Sequence, residues 1–226
     1  MSYPRRIQFN GALYHVFNRG ICRKSIFLSP RHNLFFLELL DRIVEKYGVE
    51  IYCYCIMKNH FHILIHTPYG NIAQVMQYLA SNLAKFINKE LNADGALFKR
   101  RYKEVLVDSE SYLLQVSRYI HLNPVQAKLV KKAEQWKWSS IHEYYGQKDK
   151  TVPLTTNKIL THFKDANEYQ EYINLGIDKH TRKFYEKKYT PRILGTTEFK
   201  NRIKKLYLKK SHVSLSHNQD KQPPLA

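Results

Sequence analysis

The amino-acid sequence predicts an α+β protein of the ferredoxin-like, split β-α-β type: an antiparallel sheet with helices on one face, added helices and a basic C-terminal extension. Two observations predict this fold class. Strand-like and helix-like segments follow one another in the order β-α-β-β-α-β. The chain has 226 residues, of which 43% are hydrophobic and 13% aromatic, so it can bury a sizeable core.

A strand and a helix come first. Residues 12–17 are apolar and rich in strand formers, and the turn signal Asn18-Arg19-Gly20 follows them. From residue 30 to residue 47 apolar side chains recur at a helical period, and Gly48 stands where a helix is expected to stop.

A hairpin follows the first helix. Residues 49–57 and 60–66 are rich in β-branched and aromatic side chains, and Lys58-Asn59 between them suits a tight turn. The two segments therefore predict an antiparallel pair of strands.

The second half of the fold has the same alternation. Residues 71–91 carry an apolar stripe with Asn71 available as the N-cap, which predicts a helix. Residues 102–107 predict a fourth strand. Asp108 or Ser109 then caps a third helix that runs to about Leu122.

The charge of the chain indicates its partner. There are 37 Lys and Arg residues against 19 Asp and Glu, a formal net charge of +18. This balance favours a polyanion, and nucleic acid in particular, because neutralised phosphates release counterions and so drive binding.

The sequence also indicates a compartment. No stretch approaches the roughly 18 apolar residues of a membrane-spanning helix, and the first residues lack the apolar run of a signal peptide. Three cysteines are too few for a disulfide framework. We therefore expect a cytoplasmic protein without membrane contact.

Three sequence regions are expected. Residues 1–146 form the main domain. Residues 147–210 form a basic, mostly helical extension: between Lys179 and Lys210, twelve Lys and Arg residues stand against two Asp and Glu, with aromatic residues between them. Such a segment suits nucleic-acid binding, although its aromatic part also suits a helix docked on the domain. Residues 211–226 are polar and aperiodic, which predicts a disordered tail.

Two histidines are the first candidates for chemistry. His60 and His62 are separated by one residue on a strand, so both imidazoles lie on the same face and Phe61 points into the core. They form either a two-point metal site or the polar face of a half-buried strand. His66 lies on the same face, as a further ligand or as a surface residue.

The third predicted helix carries the second candidate pair. Tyr119 and Asn123 are four residues apart and therefore neighbours on one helix face. A tyrosine oxygen, with an ordinary pKa near 10, needs a base or a metal to act as a nucleophile at neutral pH. Asn123 before Pro124 is also typical of a helix N-cap, for a segment from Pro124 to Gln135.

Two further segments have a functional and a structural interpretation. The consecutive cations Lys99, Arg100 and Arg101 precede the fourth strand and suit phosphate binding, or else a solvated loop. Cys53 and Cys55 suit two small apolar residues on a sheet face better than a zinc site with the histidines.

Five ordered blocks resemble the single-tyrosine HUH transposases, in the form of the REP-associated tyrosine transposases. They are residues 57–65 (MKNHFHILI), residues 118–127 (RYIHLNPVQA), residues 14–20 (YHVFNRG), residues 98–102 (FKRRY) and residues 138–140 (WSS). Together they span roughly residues 12–146.

The resemblance implies a nuclease and strand transferase that cuts single-stranded DNA near a hairpin. His60 and His62 would bind a divalent cation, Mg²⁺ or Mn²⁺, with Asn123 in the place of the third ligand. Tyr119 would attack the scissile phosphate to form a 5′-phosphotyrosine. Arg19 is a DNA-binding candidate by resemblance only, and relatives include monomers and homodimers.

Two other functions stay open at this point. One is a non-catalytic protein on the same fold that binds hairpin DNA through its positive charge. The other is a zinc hydrolase that uses Cys53, Cys55, His60 and His62.

Overall fold

The structure, a computed structural model, describes residues 6–147, 152–187 and 192–216. In these ranges the strands are β1 (Ala12–Arg19), β2 (Glu50–Met57), β3 (His60–Thr67), β4 (Lys103–Val107) and β5 (Ile193–Leu194). The helices are α1 (Pro30–Tyr47), α2 (Ile72–Glu90), α3 (Ser109–His121), α4 (Asn123–Gln126), α5 (Ile141–Tyr144), α6 (Asn157–Leu160), α7 (Ala166–Asn174), α8 (Lys179–Tyr185) and α9 (Thr197–Ser216). Two short 3₁₀ turns lie at Ile21–Arg23 and Ala133–Gln135.

The strands form one sheet in the order β2-β3-β1-β4-β5. The first three neighbouring pairs are antiparallel, and β5 is parallel to β4. The order of the first four strands is that of a split β-α-β fold, so the predicted fold class is confirmed. The register places Arg19 opposite His60 and Phe17 opposite His62.

Two hydrophobic cores cover the two faces of the sheet, because successive side chains of a strand point to opposite faces. Tyr14, Val16 and Phe61 pack with α1 and α2 on one face, which is where the split unit is expected to carry its helices. Leu13 and Leu64 pack on the other face with α3 and with residues of the C-terminal extension.

The predicted helix ends lie close to the observed ones. α1 stops at Gly48, which has the left-handed φ of 60° that favours glycine. Asn71 and Asp108 occupy the N-cap positions of α2 and α3, but neither side chain caps its helix. Instead, the Asn71 amide donates to the carbonyl of Tyr47, and the Asp108 carboxylate accepts from the backbone N–H of Thr196.

The chain after Gly146 shares both cores with the chain before it. Ile159, Tyr169 and Phe184 belong to the core beneath α3, and Phe199 and Ile203 belong to the core beneath α1 and α2. β5 adds a strand to the sheet edge. The described residues of the extension include the helices α6 to α9, and aromatic side chains such as Tyr169, Phe184 and Phe199 are packed against the main domain.

The last helix is longer than the sequence pattern suggests. α9 spans 20 residues and runs to Ser216, so residues 211–216, which the sequence predicts as part of a disordered tail, are helical. No Gly or Pro interrupts this stretch, so nothing in it stops the helix. Residues 217–226 lie outside the described residues. None of the helices described has the length and apolar character that crossing a membrane requires.

A pair of tyrosine variants tests whether the extension is part of the cooperative fold. The Tyr169 hydroxyl lies 2.8 Å from Nδ1 of the fully buried His121. Tyr169→Phe leaves that nitrogen without a partner, so we expect the free energy of unfolding to fall by about 1–3 kcal/mol in a urea titration.

Tyr145→Phe is the matched control. The Tyr145 hydroxyl is buried without a hydrogen-bond partner in the described structure, so its removal is expected to change stability by less than about 0.5 kcal/mol. Equal losses in the two variants would contradict the anchoring role of Tyr169.

Candidate active site

A cavity of about 440 Å³ opens beside the ends of β1 and β3. All eight site residues predicted from the sequence line it: Arg19, His60, His62, Lys99, Arg100, Arg101, Tyr119 and Asn123. Phe17, Asn18 and Lys103 complete the lining. Residues more than 100 positions apart in sequence therefore face one space.

The two histidines lie side by side on β3. Phe61 between them is fully buried in the opposite core, as the alternation predicts. The ring centroids of His60 and His62 are 5.0 Å apart. Nδ1 of His60 lies 2.6 Å from Oδ1 of Asn59. Because an amide oxygen only accepts, Nδ1 donates this bond and Nε2 keeps its lone pair.

Both imidazoles are neutral in the fold. Burial, followed by the nearby charge of Arg19, lowers the pKa of His60 to about 4. Burial also lowers the pKa of His62 well below its ordinary value, and the neighbouring histidines His15 and His60 add to the effect. A neutral imidazole is the form that binds a metal ion.

His15 on β1 supports His62 from behind. It is fully buried, and its Nε2 lies 2.8 Å from Nδ1 of His62. Burial lowers the pKa of His15 to about 3, so it too is neutral. Since His15 occupies Nδ1 of His62, the nitrogen of His62 that remains for the cavity is Nε2.

Tyr119 and Asn123 enter the cavity from the C-terminal end of α3 and the start of α4. The Tyr119 ring centroid lies 5.9 Å from that of His62. Burial raises the pKa of Tyr119 to about 12, Asn123 opposes this through a hydrogen bond, and Glu186 adds to it. Tyr119 is therefore a phenol, and its oxygen needs further activation to act as a nucleophile.

Asn123 does not cap a helix. The N-cap position of α4 is Leu122, and Asn123 is the first residue of a four-residue helix that ends at Gln126 rather than at Gln135. The Asn123 amide group donates to the carbonyl of Tyr119 over 2.8 Å. This bond fixes the Asn123 side chain beside Tyr119, close enough to His62 to oppose slightly the lowering of its pKa by burial.

The basic residues are held at the cavity by backbone hydrogen bonds. The N–H of Lys99 donates to the carbonyl of Arg19, and the N–H of Ile21 donates to the carbonyl of Leu97. The loop before β4 is thereby fixed against the end of β1. Arg19, Lys99, Arg100, Arg101 and Lys103 consequently line the same cavity.

Helix α8 of the extension packs on the nucleophile candidate. The rings of Tyr119 and Tyr185 are stacked, with centroids 3.9 Å apart and an interplanar angle of 12°. The Tyr185 hydroxyl lies 2.7 Å from Nδ1 of His15. Arg118, next to Tyr119, forms an ion pair with Asp178, the N-cap residue of α8.

The donors at the cavity fit a divalent cation. Two neutral imidazoles on alternate positions of β3, with ring centroids 5.0 Å apart, present two nitrogen donors to one cavity. Within the described residues no three His, Cys, Asp or Glu side chains converge on a possible metal position. The Asn123 amide, an oxygen and nitrogen group outside those four residue types, lines the same cavity as the two imidazoles.

The other candidate ligands do not line the cavity. Cys53 and Cys55 are fully buried in the core beneath α3, and burial raises the pKa of both thiols above the ordinary value. They are apolar core residues, so the zinc alternative fails. Nδ1 of His66 donates to the Glu50 carboxylate over 2.9 Å, and the His66 ring stacks on Tyr52, away from the cavity.

Sequence reasoning assigned no role to His15 or Tyr185. His15 could have been found from the sequence. Strand alternation places His15 and Phe17 on one face of β1, and His60 and His62 of β3 lie on the same face of the sheet. Tyr185 had no signal beyond its place among basic and aromatic residues of the extension.

Comparisons with known proteins identify the family of the chain. The family model described as "Transposase IS200 like" matches residues 8–123. A Haemophilus influenzae protein named for the REP-associated tyrosine transposases is 28% identical over 153 residues, covering 63% of this chain and 86% of the relative. A solved structure of a REP-associated tyrosine transposase bound to a REP hairpin has a TM-score of 0.56 at 16% identity, covering 69% of this chain and 96% of that one.

The family match gives the class of protein: a transposase, which is an enzyme that acts on DNA. The chain belongs to the IS200-like transposase family, since the family model covers more than half of it. The resemblance of the five sequence blocks to the REP-associated type is confirmed.

The docking of α8 can be tested through its N-cap. The Asp178 carboxylate accepts from the N–H of Thr181 and pairs with Arg118. Burial raises its pKa, but these partners outweigh burial and hold it below the ordinary value. We expect Asp178→Ala to speed amide exchange across α8 and around Tyr119, measured by hydrogen–deuterium exchange mass spectrometry.

Asp165→Ala is the control for this variant. Asp165 caps α7 through the N–H of Glu168 in the same way, and it has no described ion pair with Arg118. It should speed exchange in α7 only. If Asp178→Ala left exchange around Tyr119 unchanged, α8 would not depend on the Arg118 pair.

Proposed function

We propose that this protein is a metal-dependent, single-stranded DNA endonuclease and strand transferase that cuts near hairpin or palindromic repeats through a 5′-phosphotyrosine intermediate. One observation carries the proposal: a single basic cavity contains the stacked Tyr119, two neutral imidazoles and the Asn123 amide. The relatives' transposase function and the hairpin bound to the solved relative support it.

In the proposed reaction the Tyr119 oxygen attacks the scissile phosphorus and the bond to the 3′-oxygen breaks. The phenol loses its proton and the departing 3′-oxygen takes one up. The covalent intermediate keeps the energy of a phosphodiester, so the strand can be rejoined. Stacking against Tyr185 restricts the Tyr119 ring, which holds its oxygen near His62 and reduces the entropic cost of attack.

His60, His62 and Asn123 would hold the cation, Mg²⁺ or Mn²⁺. When bound, it would withdraw charge from the phosphate oxygens and orient the phosphate for in-line attack. The imidazoles need no deprotonation before they bind it, because burial keeps both neutral at physiological pH.

Arg19, Lys99, Arg100 and Arg101 would bind the phosphates on either side of the scissile bond. Their position around the cavity mouth matches that role, and phosphate contacts of this kind position the strand without reading its sequence. The non-catalytic alternative uses the same cations but gives no function to the two neutral histidines beside Tyr119.

Trapping the covalent intermediate tests the catalytic proposal. We expect wild-type protein, incubated with a labelled single-stranded hairpin oligonucleotide and Mg²⁺ or Mn²⁺, to give a protein–DNA adduct on a denaturing gel. Tyr119→Phe keeps the stacked ring and removes the oxygen, so it should give none. His60→Ala and His62→Ala should lower the yield at least 100-fold, a loss of about 2.7 kcal/mol or more of transition-state stabilisation.

Tyr112→Phe, on an earlier turn of α3 and outside the cavity lining, serves as the matched control and should retain the adduct. Wild-type protein that binds hairpins without forming an adduct would favour the binding-only alternative. An adduct that persists in Tyr119→Phe would exclude Tyr119 as the nucleophile.

The salt dependence of binding tests the role of the cations. Each lost contact with a single-strand phosphate reduces the slope of log K against log salt by about 0.7. We therefore expect Lys99→Ala with Arg100→Ala to weaken hairpin binding and to reduce the slope by about 1.4, measured by fluorescence anisotropy at several salt concentrations. Arg42→Ala is the control: Arg42 lies on the exposed face of α1 and pairs with Glu38, so its loss should leave the slope unchanged. An unchanged slope in the double variant would refute phosphate binding by Lys99 and Arg100.

A further inference from the structure

A chain of hydrogen bonds links the C-terminal extension to the candidate metal ligand. It runs from the Tyr185 hydroxyl to Nδ1 of His15 over 2.7 Å, and from Nε2 of His15 to Nδ1 of His62 over 2.8 Å. His15 and His62 are buried, and their ring centroids lie 5.0 Å apart. Neither the fold class nor the proposed reaction requires a residue of α8 at this place.

The chemistry of imidazole determines which group donates in each of these hydrogen bonds. A neutral imidazole has one N–H and one lone pair. If Nε2 of His62 binds a cation, the N–H of His62 is at Nδ1 and donates to Nε2 of His15. The N–H of His15 is then at Nδ1 and donates to the Tyr185 oxygen.

Without a cation, the hydrogen bonds can also run in the opposite direction, with a partner for each donor and acceptor. The Tyr185 hydroxyl donates to Nδ1 of His15, Nε2 of His15 donates to Nδ1 of His62, and Nε2–H of His62 is left to face the Asn123 side chain, which interacts with this imidazole. A hydroxyl both donates and accepts, so Tyr185 can terminate the chain in either direction.

We propose that Tyr185 is a positioning residue: through His15 it allows His62 to adopt the tautomer that presents the Nε2 lone pair to a divalent cation. This inference rests on the proposed metal site. It assigns to the extension a part in completing that site, in addition to any contact with DNA.

Tyr185→Phe isolates the role of the hydroxyl. The variant keeps the ring stacked on Tyr119 and removes only the partner of His15. In the cation-bound state Nδ1–H of His15 would then be a buried donor without an acceptor. Loss of such an outer partner lowers metal affinity about 10–100-fold, and we expect a change of that size in the dissociation constant for Mn²⁺, measured by electron paramagnetic resonance on the full chain without DNA.

Two variants of His15 provide an independent check. His15→Gln has an amide oxygen to accept from His62 and an amide N–H to donate to Tyr185, so it should bind Mn²⁺ more tightly than His15→Leu, which has neither. Tyr145→Phe again serves as the control, with Mn²⁺ affinity within two-fold of wild type. In Mg²⁺-saturated wild type, long-range ¹H–¹⁵N spectra should show both His15 and His62 as Nδ1–H tautomers.

The outcomes separate the inference from the function on which it rests. Mn²⁺ binding by wild type that persists within two-fold in Tyr185→Phe would overturn the role of Tyr185 and leave the metal site standing. A different tautomer of His15 in the Mg²⁺-saturated protein would overturn it as well. Wild-type protein that binds no Mn²⁺, or binds it equally after His60→Ala, would overturn the metal site and the inference together.

Discussion

The burial of His62 is the constraint on which the rest of the site depends. This side chain is 5% exposed, and a buried imidazole needs a partner for its N–H and another for its lone pair. One partner is the buried His15, which the antiparallel register of β1 and β3 brings alongside. His15 in turn requires a partner of its own, and Tyr185, 170 residues further along the chain, supplies it. Burial removes water from each of these side chains, and the next residue in the series offsets that cost of desolvation with a hydrogen bond.

Helix α3 is the element at which the extension and the site meet. Arg118 and His121 are three residues apart and bind the extension, Arg118 through Asp178 and His121 through Tyr169. Tyr119 lies between them in sequence but on another face of the helix, towards the cavity. The block of residues 118–127 therefore combines two roles: some of its side chains face the cavity, while others hold helices α7 and α8 against the main domain.

The sequence predicted most elements whose signals are local. Periodicity predicts strand β3 and helix α1, and the preference of glycine for a left-handed φ predicts the end of α1 at Gly48. The pleat of a strand places His60 and His62 on one face. Roles that depend on tertiary contacts were not predictable in this way. Asn71 and Asp108 lie at N-caps but bond to distant backbone groups, and Tyr185 meets its partners only after α8 has packed on α3. The tyrosine–histidine contacts across the fold carry no signature in a single sequence.

The charge of the cavity bears on both proposed ligands, the cation and DNA. Among its described lining residues there are five Lys and Arg and no Asp or Glu, and the candidate ligands are neutral. Positive charge that is not balanced by carboxylates opposes a divalent cation and attracts a phosphate. A phosphate in the cavity supplies the missing negative charge, so the strand and the cation should each bind more tightly in the presence of the other. Neutral ligands would thus make the affinity for the proposed cation respond to a bound strand more strongly than a carboxylate-rich site of the same size would.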